Sequence, residues 1–250
     1  AGELDLFWRS VFTWASHRFD VFHFHYSSIF NFIDEYVYQP PSFSDLLILK
    51  GMGKKIVFHF RGSEVRVNKV FGKVNKYAWS ENEDPSFSKM NDKTKIELIS
   101  FICSIADSVL VVDPELNTYV PQAKILERAI SKKSPALKRN NSNQGCIKIV
   151  HAPSRRHVKG SKEVIDAVNK LISEGFDIKF QLVEGKTNAE ALKVIESADL
   201  VIDQLVIGWY GVLAVEAMSM GIPVLAYIRE DLWEKYADKI AYLQNAVGAV

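Results

Sequence analysis

Short runs of β-branched and aromatic residues alternate along the chain with longer stretches in which apolar residues recur every three or four positions. Runs of the first kind predict buried strands at 19–26, 55–60 and 108–112. Stretches of the second kind predict helices at 45–50 and 93–106, the latter with isoleucines three residues apart at Ile96, Ile99, Ile102 and Ile105. Strand and helix in alternation are typical of parallel βαβ units.

The same alternation restarts after residue 146. It predicts strands at 147–151, 178–183, 200–202 and 223–228, and helices at 161–173, 189–197 and 212–220. Strands that are apolar along their whole length are covered by helices on both faces of a sheet. We therefore predict an α/β protein built from doubly wound, Rossmann-like parallel sheets.

The stretch 131–145 differs in composition from the sequence on either side, because it is rich in Lys, Ser and Asn and nearly free of large apolar residues. We predict an interdomain linker there, between a Rossmann-like domain at 1–130 and a second one at 146–250, the two facing each other across a cleft. The first half lacks an opening strand with a glycine-rich turn, and only a short tail follows residue 228. We expect a fragment, incomplete at both ends.

Composition narrows the class of protein. Hydrophobic residues make up 48% of the 250 residues and charged residues 24%, enough for a real core. The formal net charge of +1 argues against a general nucleic-acid binder. The apolar runs fall short of the roughly 18 residues of a membrane span, and the N-terminus lacks the order of a signal peptide. We expect a cytoplasmic protein.

The cysteines and histidines give little sign of a metal. Cys103 and Cys146 lie in apolar contexts and form neither a disulfide framework nor a metal-binding spacing, so we expect buried thiols. His23 and His25 share one face of a strand, which can suggest a metal, but no carboxylate or cysteine nearby completes a set. We favour structural or acceptor-lining roles for them and expect no metal.

Three cations fall within five residues of the segment that links the predicted strand 147–151 to the helix at Ser161. They are Arg155, Arg156 and Lys159, and Gly160 follows them. Polar loops at the carboxyl ends of parallel strands are where open α/β sheets bind ligands, and a helix start adds free N–H groups. The segment suits a diphosphate; a solvated basic loop is the alternative.

A second strand–loop–helix segment spans 199–223. Gly211 marks a point of close backbone approach, and its N–H can point outward. Glu216 is the only charge in its helix and needs a partner, which a ribose would supply through its hydroxyls; neighbouring backbone or an Arg would also satisfy it. Trp209 and Tyr210 can stack on a base or sugar, or simply pack.

The stretch from Gly208 to Pro223 resembles the E-G-F-G-x-x-x-x-E-A-M-x-x-G-x-P-V motif of retaining glycosyltransferases with the GT-B fold, the group 1 or family 4 type. The Arg155 to Gly160 segment resembles the Arg…Lys-Gly phosphate clamp of that family. In the first half, 20–25 resembles its D-V-x-H-x-H strand and 54–66 its K-x-V-x-x-x-H-G-S-D-V segment. The resemblance spans about residues 19–228.

The resemblance implies retaining, metal-independent transfer of a sugar from a nucleotide-diphosphate donor to a glycan or lipid-linked acceptor, as in polysaccharide biosynthesis. No cofactor is implied beyond the donor, and a lipid-linked acceptor would place the protein peripherally at the inner membrane face. Donor sugar, base and oligomeric state stay open. By the resemblance, Glu216 would hold the ribose. The other implied donor-site residues are Arg155, Arg156, Lys159, Gly160, Trp209, Tyr210, Gly211 and Val212.

Two departures from the family pattern bear on catalysis. Gly208 stands where the family has a glutamate close to the donor sugar. Arg61 stands where the family has a histidine, and we assign it the catalytic role of stabilising the leaving diphosphate, since an Arg cannot act as a general base. His59, on the same face, can compensate or be a core residue. The sequence therefore supports an active transferase or, alternatively, a non-catalytic nucleotide-sugar-binding member or partner subunit.

Overall fold

The computed structural model describes residues 2–25, 44–78, 91–130, 145–240 and 247–248. By its internal contacts the chain divides into two units, the first of Ala1–Val74 and Trp79–Glu127, the second of Asn75–Ala78 and Arg128–Val250. The predicted linker 131–145 lies outside the described residues except for Gly145. None of the described helices is long and apolar enough to cross a membrane.

The first unit is a parallel α/β layer. Its described strands pair in the order β1-β2-β3-β4. In chain order its elements are α1 (Gly2–Arg18), β1 (Val21–His25), α2 (Ser44–Gly51), β2 (Lys55–Phe60), α3 (Asn68–Val74), α4 (Asp92–Ile105), β3 (Ser108–Val111), a 3₁₀ turn (Pro114–Thr118) and β4 (Lys124–Ile125).

Strict alternation along β1 separates an apolar face from a polar one. Phe22 and Phe24 are buried, and the ring centroid of Phe24 lies 6.3 Å from that of Phe58 on β2. The residues between them, His23 and His25, lie on the opposite face of the strand, because successive side chains of a strand point to opposite sides of its sheet. The sheet of the first unit therefore buries phenylalanines on one side and presents histidines on the other.

A buried ion pair ties the segment after β2 to the 3₁₀ turn. The Arg66 guanidinium donates to the Glu115 carboxylate, with Nη2 2.9 Å from Oε2, and both side chains are buried. Lys95 of α4, fully buried, donates from Nζ to the carbonyl oxygen of Arg66 at 2.6 Å. Buried charges persist only where they are paired and hydrogen-bonded, so these contacts fix the segment against α4.

The second unit contains the remaining described elements. Its strands form a parallel sheet in the order β6-β5-β7-β8-β9. In chain order they are β5 (Ile147–His151), α5 (Arg156–Lys159), α6 (Ser161–Ser173), β6 (Ile178–Leu182), α7 (Asn188–Ile195), β7 (Leu200–Ile202), α8 (Val212–Ser219), β8 (Val224–Leu225), α9 (Glu230–Ile240) and β9 (Val247–Gly248).

Both faces of the second sheet are covered by apolar contacts. On one face Ile149 and Ile202 pack with Val164 and Val168 of α6. On the other face the neighbouring strand residues, Val150 and Val201, belong to a cluster with residues of α7 and α8, namely Leu192, Ile195, Ala214 and Ala217. Helices on both sides confirm the doubly wound layer that the continuous apolar strands predict.

A short segment from the first half of the sequence packs within the second unit. Asn75 is buried, and its Nδ2 donates to the carbonyl oxygens of Val206 at 2.6 Å and Ile207 at 3.3 Å. The ring of Tyr77 meets that of Tyr227 edge-on, with centroids 4.8 Å apart. Asn75 therefore supports the loop between β7 and α8, and Tyr77 packs against the segment that follows β8.

The predicted α/β class is confirmed, but several elements differ from the sequence-based expectation. The strand expected at 223–228 is limited to Val224–Leu225, because the N–H groups of Tyr227 and Arg229 donate to carbonyls of the β7–α8 loop instead of a strand. A helix, α9, follows it in place of a short tail, and its first turn carries the acidic residues Glu230 and Asp231. Helices α1 and α3 were also not predicted.

Two smaller expectations can be compared with the structure. Cys103 and Cys146 are free thiols, as expected, but they are half-buried rather than buried. Helix α1 escaped prediction because its large apolar residues do not form one inward stripe: Leu6, Phe7 and Trp14 are all exposed.

We predict that Glu115→Gln lowers the free energy of unfolding by about 3–5 kcal/mol, since it leaves the Arg66 guanidinium buried without its counter-charge. Denaturant unfolding measures the change. The matched control is Glu97→Gln, which breaks an exposed pair with Lys93 on α4 and should cost no more than about 0.5 kcal/mol. Equal losses in the two variants would contradict a stabilising role for the buried pair.

Candidate functional site

The candidate site is formed by the two loops that follow β5 and β7 in the second unit. β5 lies between β6 and β7, so the chain winds one way from β5 to β6 and the other way from β7 onward. Open α/β sheets bind ligands at this reversal, outside the carboxyl ends of the strands. The two segments that the sequence singles out, 152–160 and 203–211, are the loops at this point.

His151, the last residue of β5, holds the two strands and α6 together. It is fully buried; its Nδ1 lies 2.7 Å from the carbonyl oxygen of Ile202 and its Nε2 lies 2.8 Å from Ser161 Oγ. Burial lowers the pKa of His151, which keeps the ring neutral near pH 7. The histidine is structural and fixes the start of α6.

The two arginines lie at the surface just where α5 begins. Arg156 forms a bidentate pair with Glu184, with Nε–Oε1 and Nη2–Oε2 distances of 2.8 and 2.6 Å, and hydrogen bonds from Arg156 lower the pKa of Glu184. Arg155 is exposed and immediately precedes the helix. The structure thus places both predicted cations beside the first loop and gives one of them an acidic neighbour.

Lys159 joins the two loops through a buried carboxylate. Its Nζ lies 3.1 Å from Asp203 Oδ1 and 2.8 Å from Gln204 Oε1, and the Asp203 side chain is fully buried. The other Asp203 oxygen accepts the N–H of Gly211. That N–H therefore does not point outward as the sequence suggests; the close backbone approach at Gly211 is to the ion pair itself, since an added Cβ would lie 2.9 Å from Lys159 Nζ.

Gly160 allows the same two loops to pack tightly. It has a φ of 70°, closes α5 and precedes α6. An added Cβ would lie 3.2 Å from side-chain atoms of both Leu205 and Val206, and the N–H of Leu205 donates to the carbonyl oxygen of Lys159 at 3.1 Å. A glycine is required here by both the positive φ and the lack of space.

The aromatic pair of the second loop belongs mostly to the interior. Trp209 is 4% exposed and packs with Ala226, Ile228 and Leu232. Its ring stacks on that of half-buried Tyr210 at 5.0 Å, and its carbonyl oxygen accepts a hydrogen bond from the Gln204 amide. The sequence leaves open whether Trp209 stacks on a base or sugar or packs in the core; in the structure its side chain packs in the core.

Gly208 lies directly against the side chain of Arg229. Its φ is +91°, and an added Cβ would lie 2.7 Å from Arg229 Cγ and 2.8 Å from Cδ. Arg229 is 2% exposed, and its guanidinium donates to the Asp231 carboxylate at 2.9 and 2.7 Å. At the position where the resembling family carries a glutamate, the space beside the Gly208 backbone is thus filled by the aliphatic part of Arg229.

Helix α8 begins beside the Lys159–Asp203 pair. Its N-cap is Gly211, which supplies no side-chain cap, and Val212 is the first helical residue. The first N–H groups of a helix have no partner within it and can bind an anion. Glu216, one turn further on, is half-buried, and both its carboxylate oxygens lie 3.4 Å from Asn188 Nδ2.

In the first unit, Arg61 directly follows β2 and is exposed. Its backbone N–H and that of Gly62 donate to Glu64 Oε1, and burial raises the pKa of Glu64. On the same sheet His59 is buried and lies in register with His25, whose pKa is lowered by burial, by His23 and by Arg61. His25 and His59 are positioned by β1 and β2, whereas Arg61 lies in the turn that Glu64 holds.

Four residues of the site were not assigned from the sequence: Glu184, Asp203, Gln204 and Arg229. Asp203 carried the clearest signal, because a polar residue immediately after an apolar strand stands at the ligand-binding edge of a parallel sheet. Glu184 lies two residues beyond the end of β6. No local sequence pattern indicates a role for Arg229, because its contact with Gly208 forms only when the chain is folded.

The fold is shared with GT-B glycosyltransferases. Sucrose-phosphate synthase from Thermosynechococcus elongatus superposes with a TM-score of 0.52 at 15% identity, over 90% of this chain and 60% of that one. The catalytic domain of starch synthase IV from Arabidopsis thaliana, solved with ADP and acarbose, gives 0.52 at 13% identity, over 92% and 61%. The chain thus spans about 60% of the length of these structures. No family model and no curated protein sequence matches it.

We predict that Gly208→Ala destabilises the second unit more than Gly221→Ala. Both glycines have positive φ, but an added Cβ at Gly221 meets nothing within 4 Å. The control should therefore cost only the left-handed penalty of about 1–2 kcal/mol, while Gly208→Ala adds an overpacking cost of about 1–3 kcal/mol. Denaturant unfolding of the two variants gives the comparison, and equal losses would argue against the Arg229 contact.

Proposed function

We propose that this chain is the nucleotide-sugar-binding part of a glycosyltransferase that takes a sugar from a nucleotide-diphosphate donor and transfers it, with retention, to a glycan or lipid-linked acceptor. One observation carries the proposal. At the reversal point of the second sheet, Lys159 and the uncapped start of α8 are held side by side by Asp203. That pairing of a cation with free helix N–H groups suits a diphosphate.

Lys159 has capacity for a phosphate oxygen. An ammonium carries three N–H donors, and within the described residues two of them go to Asp203 and Gln204. The third, together with the N–H groups at the start of α8, forms the central part of the diphosphate site. Lys159 is held rigidly by its buried partner, so little conformational entropy is lost when the ligand arrives.

The arginines and Glu216 complete the donor site in this proposal. Arg155 and Arg156 lie on the rim, where an arriving diphosphate would compete with Glu184 for the Arg156 guanidinium. Glu216 has only long contacts of 3.4 Å with the Asn188 amide, which a pair of ribose hydroxyls would readily displace. A sugar-nucleotide donor thus finds a partner for both its diphosphate and its ribose.

The proposed transfer needs no metal at the diphosphate, because the positive charge that a metal would supply comes from Lys159 and the arginines. Arg61 would stabilise the charge that develops on the leaving diphosphate. A lipid-linked acceptor would bring the protein to the inner face of a membrane as a peripheral protein.

One observation favours a second candidate, a member of the same fold that binds the donor without turning it over. Arg229 fills the space beside Gly208, so a carboxylate close to the donor sugar has no room there. The binding residues on Lys159 and α8 are unaffected by this change. The two candidates therefore share a binding site and differ only in turnover.

We expect the purified chain to bind a nucleoside diphosphate, and Glu216→Ala to weaken that binding by about 1–3 kcal/mol, the value of a hydrogen bond to a charged group. Calorimetric titration with UDP, ADP and GDP in the presence of EDTA measures both. Glu196→Ala, at the exposed end of α7, is the matched control and should leave affinity unchanged. An unchanged affinity in Glu216→Ala, or an equal loss in Glu196→Ala, would remove the ribose assignment.

Turnover is tested separately by incubating the chain with a panel of nucleotide sugars and measuring free nucleoside diphosphate. An active transferase should hydrolyse its donor slowly, and Arg61→Ala should slow that release with little change in binding. Binding without release on any donor would favour the non-catalytic candidate. Failure of every nucleoside diphosphate to bind would reject both.

A further inference from the structure

Three histidines converge on one face of the first unit's sheet. His23 and His25 are two residues apart on β1, and His25 lies directly opposite His59 on the parallel neighbour β2. Residues in register on adjacent strands, and residues two apart on one strand, point to the same side of a sheet. The ring centroids are 4.3, 5.1 and 5.5 Å apart, and one ring nitrogen from each histidine lies within 4.8 Å of the others.

The histidines are separate from the apolar core beneath the sheet. That core lies on the opposite face, where Phe22, Phe24 and Phe58 are buried. On the histidine face His23 and His25 are exposed, while His59 is only 5% exposed and forms the inner wall of the cluster. The cluster is thus open to solvent on one side and held by a packed residue on the other.

The cluster also lies where parallel sheets place their ligands. His25 is the last residue of β1, and His59 is the last but one of β2. The carboxyl ends of parallel strands are the binding edge of an open α/β sheet. Two strands whose register is fixed by hydrogen bonding set the three Cβ positions without help from a flexible loop.

We propose that His23, His25 and His59 form a binding site for a divalent transition-metal ion of the Zn²⁺, Co²⁺ or Ni²⁺ type. Imidazole is the nitrogen ligand that these ions favour, whereas Mg²⁺ and Ca²⁺ require oxygen. Tetrahedral ligands at a Zn–N distance of about 2.0–2.1 Å lie roughly 3.4 Å from one another. The ring nitrogens already lie within 4.8 Å of one another, so each pair must close by at most about 1.4 Å to reach that spacing.

Three histidines leave a fourth coordination position open, which is the pattern of zinc sites that bind a water or a substrate oxygen. The open side of this cluster is the one that exposes His23 and His25. The permanent charge of Arg61, which acts on His25, opposes the binding of a cation. We therefore expect Arg61→Gln to tighten metal binding.

This inference does not depend on the proposed function. The histidines belong to the first unit, whereas Lys159 and Glu216 belong to the second. Metal binding can fail while nucleoside diphosphates still bind in EDTA, and the reverse result is equally possible. Each outcome then bears on one site only.

The test uses the whole chain without a histidine tag, from which EDTA has removed any metal. Co²⁺ binding is followed by visible absorption spectroscopy, and Zn²⁺ is then added to compete for the site. We expect one Co²⁺ per chain with the intense bands of a low-coordinate site. His25→Asn and His23→Gln should each weaken binding at least about 100-fold, since loss of a ligand exceeds the 10–100-fold cost of losing a ligand's support. His17→Asn, an exposed histidine on α1, is the matched control.

His23 and His25 are exposed, so their variants should keep the thermal unfolding of the metal-free chain and separate ligand loss from misfolding. The His59 side chain is buried, so His59→Asn serves as a third variant provided that it remains folded. The proposal is overturned if Co²⁺ does not saturate at one per chain, or if His17→Asn weakens binding as much as His25→Asn. It is also overturned if the two exposed variants bind Co²⁺ like the unsubstituted chain.

Discussion

The buried contact between Lys159 and Asp203 is the interaction on which the second unit's loops depend. A carboxylate placed at the end of β7 with no exposure needs a counter-charge, and the loop after β5 supplies it. The same carboxylate accepts the N–H of Gly211 and so sets where α8 begins. One ion pair therefore determines the distance between two loops that the chain order keeps far apart, and the proposed donor site is a consequence of that distance.

Two further sets of contacts support this arrangement, one from the segment at Asn75 and one from the core around Trp209. The Asn75 amide satisfies two carbonyls of the loop that carries Trp209, while Trp209 itself is packed in the core. A loop with so many internal partners is formed before a ligand arrives. Binding would then cost little ordering, which is the advantage of a preorganised site. Arg155 and Arg156 are exposed beside the first loop, at the edge of this arrangement.

Sequence patterns predicted the elements that have a regular apolar period, but they missed helices α1, α3 and α9 and the contacts between elements. Continuous apolar strands such as 147–151, and the regular helix 161–173, are local signals, and the structure reproduces their bounds. Arg229 against Gly208, or His59 beside His25, depends on how strands and loops are brought together, which no local period records. The N–H of Gly211 shows the same limit: a glycine reveals that something comes close, but not which atoms.

The contact between Gly208 and Arg229 also constrains how this sequence can change. A Cβ at position 208 would lie 2.7 Å from the arginine stem, so a larger side chain can enter there only if Arg229 shifts. Arg229 in turn holds Asp231 at the start of α9, so shortening it disturbs the helix as well. We therefore expect substitutions at the two positions to be non-additive, because their side chains share one space. A side chain at position 208 should therefore be tolerated better once residue 229 has been shortened than while Arg229 is present.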